Sequence, residues 1–170
     1  MVIGKKNRFA IEIEVTDFVD EWIFGKFVFW MENESIGDIN DYSVDIKGCI
    51  NWLKDFISIP RDRFEQGLYE KDINAAFLLL NHSVIPGEQE YVFVKEGYNQ
   101  TFSRFHISHL GMSSFENVSI VLIENEKGNL RCIWQQKQEE VKECFLKKGE
   151  MKRIFIKTIN YIEEKFINHS

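Results

Sequence analysis

Two prolines and ten glycines in 170 residues are too few for a disordered or linker-like chain. Three cysteines (Cys49, Cys132 and Cys144) are odd in number and widely spaced. That pattern argues against a disulfide framework and suits a reducing compartment. Apolar runs such as Ala75 to Leu80 fall far short of the ~20 residues that a membrane-spanning helix needs. Met1 to Arg8 is polar and lacks the apolar core of a secretory signal, so the cytoplasm is the expected location, with no membrane partner. There is no basic excess either: 21 Lys+Arg stand against 27 Asp+Glu, a net charge of −6. Nucleic acid is therefore not an expected partner, because phosphate binding needs a basic surface, whereas a basic protein is one. No phosphate-cradling glycine loop, nucleophile elbow or HExxH zinc motif occurs.

What the chain does have is apolar bulk, with 44% hydrophobic residues, 15 Phe and 4 Trp. Its length suits one domain over residues 1–170, since separate cores arise beyond ~250 residues. Phe9, Ile11, Ile13 and Val15 alternate with Glu12 and Glu14, the signature of a strand packed on one face. Trp22 to Met31 is apolar on both faces except at Lys26, as in a central strand, and Ser35 to Asp38 returns from it as a hairpin. Helical spacing of Ile46, Cys49, Ile50, Leu53, Phe56 and Ile57 predicts an amphipathic helix over 45–57, capped by Ser43 or Asp45 and stopped by Pro60. A second helix is expected over 70–81, followed by a Pro-Gly turn region over 82–89. The second half reads as an antiparallel meander with strands at 91–95, 101–108, 118–124, 130–135 and 140–146, and a tight turn at 126–129. A helix over 150–166, with one stripe from Met151 to Phe166, closes the chain. The sum is an α+β fold: a mostly antiparallel sheet, two mid-chain helices and a C-terminal amphipathic helix.

Each candidate for chemistry has a plainer reading that outweighs it. His106 and His109, with Cys132 elsewhere, have metal-ligand spacing only on a helix, and the segment reads as strand and turn. Glu12 and Glu14 could share a proton as acid and base, but such a pair usually keeps a half-exposed strand soluble. Cys144 lies near Lys142 and Lys147, which would lower a thiol pKa, though a buried inert thiol is the default. Trp22, Phe24, Phe27, Phe29 and Trp30 could line a ligand pocket, and core packing accounts for them better. No metal and no cofactor is expected. The rival to a binding protein is a small enzyme or ligand-binding α+β domain whose pocket lies between sheet and helices and gathers Glu12, Tyr91 and His106.

Charge placement says more than any motif. Phe9 to Asp45 carries ten acids and one base, a net −9, whereas Lys127 to Lys157 carries nine bases and four acids, a net +5. An acidic run is most often a solvated loop. Its functional reading is a landing surface for a cationic protein, which sets association rate and selectivity. Asp38, Asp41, Tyr42, Asp45, Glu88 and Glu90 are the candidate contacts, with the amphipathic Tyr42 as an anchor.

The opening Asn7-Arg-Phe-Ala-Ile-Glu12, the Gly25-Lys-Phe-Val-Phe-Trp30 strand and the Ile36-Gly-Asp38 return occur in the order seen in a bacterial family, immunity protein forty-two. The chain resembles that family most clearly over residues 4–40. Beyond them the likeness rests on element order, including Leu130-Arg-Cys-Ile-Trp134 and the closing helix. Lys5 and Lys6 depart from the pattern, as does a Glu32-Asn33-Glu34 turn without glycine. The resemblance implies a non-enzymatic cytosolic inhibitor; a monomer or weak dimer is expected. Such a protein binds and neutralises a toxin domain delivered by contact-dependent growth inhibition or a related polymorphic toxin system, covering its active site or substrate groove. It also implies that Phe9, Gly25, Phe29 and Trp30 hold the fold. A nuclease toxin would present a basic groove to the acids.

Overall fold

A computed structural model describes residues 1–59, 61–82, 103–107 and 112–167. The first half forms an antiparallel sheet of β1 (Val2–Lys5), β2 (Phe9–Val19), β3 (Trp22–Met31) and β4 (Glu34–Ile36) in that order, with β5 (Val44–Asp45) also paired to β3. Register carries the alternation into three dimensions. Phe9, Ile11 and Ile13 face Met31, Phe29 and Phe27 across the β2–β3 ladder, and all six are at most 1% exposed. The turn between β3 and β4 places Glu32 and Asn33 at φ 52° and 67°. These left-handed conformations match the twist of a two-residue hairpin even without the glycine. Gly25 lies where β2 bulges between Val15 and Asp17. A Cβ there would sit 1.9 Å from the Glu14 carbonyl oxygen, so the close approach admits no side chain.

Two helices cover this odd-numbered face. One, α1 (Ile46–Ser58), buries Ile46, Cys49, Ile50 and Leu53 and ends at Ile59 in extended backbone, as a residue before proline must. The other, named α3 (Glu150–Ile162), buries Met151, Phe155, Thr158, Ile159 and Ile162 and runs on into a π-helical turn over Glu163–Ile167. Phe155 is the hub of their contact, with its ring 5.1 Å from Phe56, 5.9 Å from Trp52 and 6.0 Å from Phe9.

A second antiparallel sheet, β6 (Val118–Glu124), β7 (Leu130–Gln136) and β8 (Lys142–Leu146), turns Ile120, Leu122, Cys132, Trp134, Cys144 and Leu146 into the same core. Its other face, Val121, Ile123 and Ile133, makes a smaller core with Leu68, Phe105 and α2 (Ile73–His82). The α+β architecture is as expected, and several boundaries move. Helix α2 begins at 73 rather than 70 because Asp72 accepts a hydrogen bond from the Ala75 amide, 3.0 Å. Tyr69 and Lys71 instead turn their carbonyls toward Arg131, 2.9 and 2.7 Å. Residues 103–105 form a short 3₁₀ turn rather than a strand. Phe105 drops into the smaller core, and His106 makes a lone bridge to Val121. The expected strand at 91–95 lies outside the described residues.

Candidate protein-binding face

The even-numbered face of the first sheet differs in kind. Glu12 on β2 is its centre: Oε1 accepts from Lys26 Nζ at 2.7 Å, while Oε2 accepts from Lys6 Nζ at 2.7 Å and Trp30 Nε1 at 3.0 Å. Burial opposes the charge on Glu12, but the hydrogen bonds from Lys26 and Lys6 outweigh it and hold the carboxyl at about 2. The bond to Glu12 in turn raises the Lys26 pKa. Lys6 also lies over the Trp30 ring, 3.6 Å from its centre. Glu12 is thus a half-buried ion-pair centre and not a solvated strand residue, while Glu14 is exposed and lies 3.6 Å from Lys26.

Toward one end of β3 the same face turns aromatic. Trp22 is 55% exposed and stacks on the half-buried Phe24 with ring centres 6.3 Å apart and planes 15° from parallel. Tyr42, 46% exposed, has its ring 5.6 Å from Lys26 Nζ. Core packing therefore explains only part of the stripe. Phe27 and Phe29 point inward and are fully buried, whereas Trp22, Phe24 and Trp30 occupy the other face. The alternation of a strand separates them.

Acids edge this patch. Asp17 pairs with Phe24 across the ladder, and Asp45 pairs with Phe24 from β5. Asp38 is exposed and binds the Asn40 amide at 2.9 Å. Asp41 accepts from Ser113 Oγ, from Ser43 Oγ at 2.6 Å and from the Ser43 amide at 2.9 Å. Burial works against its charge, yet these bonds leave its pKa lowered. Asp41 therefore fastens the loop to the 113–115 turn. Asp45 occupies the cap position of α1, but its carboxylate makes no capping hydrogen bond and packs over the first turn beside Gly48. Asp38, Asp41 and Tyr42 lie along one loop that leads into Asp45 on β5, while Glu88 and Glu90 lie outside the described residues, as do Tyr91 and His109.

The proposed enzymatic cluster does not assemble among the described residues. Glu12 sits on the first sheet, and His106 is buried beside the second with Nε2 3.0 Å from the Leu80 carbonyl oxygen. Cys132 and Cys144 are buried register partners in the main core, and burial pushes the Cys49 and Cys132 thiols well up. Among the described residues no three His, Cys, Asp or Glu converge as metal ligands, and no helix is long and apolar enough to cross a membrane.

Residues 1–161 match the model of the family described as Immunity protein 42. The chain belongs to this family. Its function is accordingly that of an immunity protein, which neutralises a cognate toxin. A solved structure, CdiI from Burkholderia dolosa AUO158, shares the fold with a TM-score of 0.75. The two chains are 16% identical, and the match covers 95% of this chain and 99% of that one. No curated protein matches the chain. Family membership places the exposed aromatic end of this face in context, because an immunity protein works through a surface that its toxin can reach.

Proposed function

We propose that this immunity protein acts as a single cytoplasmic domain over residues 1–170, without catalysis, by direct contact with its toxin in a contact-dependent growth inhibition setting. It binds as a monomer through the even-numbered face of its first sheet. Trp22, Phe24 and Tyr42 are the anchors, and Asp17, Asp38, Asp41 and Asp45 form the charged rim. The toxin presents a basic surface, as a nuclease groove does, and the carboxylates take the place of its phosphates.

The observation that carries this reading is the exposure of Trp22 and Tyr42 beside carboxylates. Large aromatics dominate binding energy when they become desolvated at the centre of an interface. Around such anchors, rim charges set association rate and partner choice more than affinity.

Titration calorimetry against the C-terminal domain of the large secreted protein encoded directly upstream tests it. The expected result is a one-to-one complex of nanomolar or lower Kd that weakens between low and high salt and loses most of its affinity in Trp22→Ala. A tight complex indifferent to both salt and Trp22→Ala would move the interface to another face.

A further inference from the structure

We propose that the cleft between the end of α1, the β6–β7 turn and the start of α3 binds a small organic molecule through an oxyanion, with Arg63 among its cationic contacts. The contrast between two buried arginines first directs attention there. Arg131, 4% exposed, is well engaged: Nε donates to Glu143 at 2.6 Å, and one terminal nitrogen donates to the Tyr69 and Lys71 carbonyls. Arg63, 6% exposed, is not. Its Nε is buried without a hydrogen-bond partner, and it makes no ion pair within 4.0 Å among the described residues. Its guanidinium lies over the Phe56 ring at 4.6 Å, and burial lowers its pKa to about 10. A guanidinium offers donors in a fixed fork suited to carboxylate or phosphate oxygens, and of the two buried arginines Arg63 is the one whose Nε has no acceptor.

The backbone holds Arg63 in place. Its carbonyl accepts from the Glu124 amide at 2.8 Å, and Phe64 bridges to Glu124. The cleft it lines measures about 850 Å³, the size of a small-molecule site rather than of one bound ion. Arg61, Lys147, Lys148 and Lys152 also line it, and among the described residues none of the four pairs with a carboxylate within 4.0 Å. Glu124 and Glu126 oppose them, leaving five cations against two acids. Burial raises the Glu124 pKa even beside Arg63, which weakens its claim as the missing partner. Phe64 and Ile59, 39% and 55% exposed, add an apolar wall to the same cleft. An oxyanion on an apolar body uses both features. Phosphate and carboxylate share that chemistry, and the probes below distinguish them.

The test uses the whole chain, without toxin, so its outcome is independent of the docking reading. Calorimetric titrations with inorganic phosphate, adenosine monophosphate and citrate at low salt are expected to give saturable binding of at least one probe, with one site per chain. Adenosine monophosphate binding tighter than phosphate would assign an organic phosphate, whereas citrate alone would assign a carboxylate. Arg63→Met should weaken binding at least tenfold. The exposed double variant Lys147→Glu/Lys148→Glu should weaken it several-fold with an unchanged melting temperature, and it serves as the test if Arg63→Met does not fold. No saturable binding of any probe at millimolar concentration, or binding that the rim variant leaves unchanged, would overturn the proposal.

Discussion

The two faces of the first sheet are made by the same two strands and do opposite work. On the odd face of β2 and β3, six large side chains are sealed under α1 and α3. On the even face, one residue away at every step, a carboxylate gathers two lysines and an indole while Trp22 stays exposed. Period-two alternation lets a chain place fold and recognition on one element without compromise, provided that register is fixed. Gly25 and the bulge beside it mark where the register shifts. The comparison predicts that substitutions on one face change stability, that those at the aromatic end of the other change binding, and that the ion-pair centre lies between these extremes.

The largest effect belongs to the odd face. Phe29 touches Phe9, Phe27, Phe115 and Phe155, with ring centres 5.2 to 6.2 Å away. Phe29→Ala should cost about 3–5 kcal/mol of unfolding free energy, measured by chemical denaturation. An equal loss from Trp22→Ala would break the division between the faces.

Next comes the ion-pair centre. The Glu12 carboxyl is held at about 2, below its ordinary 4.5, so its stabilising contribution is complete above 4.5 and disappears as the pH falls through 2. Solvent reaches Lys6, 39% exposed, and screening limits the contribution to on the order of 2 kcal/mol. Glu12→Gln should therefore lower stability by about that amount at pH 7. The gap from the unaltered protein should close between pH 4.5 and 2, as read by urea titrations across that range. A gap that stays constant with pH would show that the amide loses packing and not an ion pair.

Trp22→Ala is expected to leave the melting temperature nearly unchanged, since its main ring partner is the half-buried Phe24. Affinity for the toxin should fall by about 2 kcal/mol or more, roughly 30-fold in Kd. Phe24→Ala, which removes the stacking partner, should produce part of the same loss.

How much of this was legible in the sequence follows the range of the forces involved. Helices α1 and α3 and strands β2, β3, β6 and β7 were readable because a local apolar period records which face each element buries. The starts of α2 and β8 were not, because they depend on a cap at Asp72 and on Lys137 and Gln138 in left-handed conformations. Strand β1 was missed altogether. Its short segment carries one buried side chain, Ile3, and is held by its ladder to β2. The acidic loop was visible as a run of charge, yet the exposure of Trp22 was not, since composition favours burying every aromatic. Arg63 gave no signal either. The second of two arginines after a proline becomes notable only when Phe56, Glu124 and the β8–α3 connection close around it.

The smallest expected effect is also the one that separates charge from shape on the open face. Asp41 is a poor place to test the acidic rim, because reversing its charge would also break three hydrogen bonds that hold the loop to Ser43 and Ser113. Asp38 is exposed and among the described residues its carboxylate holds only the Asn40 amide, so Asp38→Lys changes the field with little change in structure. Two charge units are altered at a rim position. The association rate with a basic toxin should then fall several-fold at low ionic strength, and the dissociation rate should stay nearly constant. The deficit should shrink as salt shortens the Debye length from ~30 Å at 0.01 M to ~8 Å at 0.15 M. Stopped-flow association at three salt concentrations reads all three quantities. A slowdown independent of salt would mean that Asp38 acts by contact, which would extend the aromatic footprint along the loop. A faster association would give the toxin an acidic docking surface and remove the electrostatic half of the proposed interface, leaving Trp22, Phe24 and Tyr42 to hold the complex by apolar burial alone.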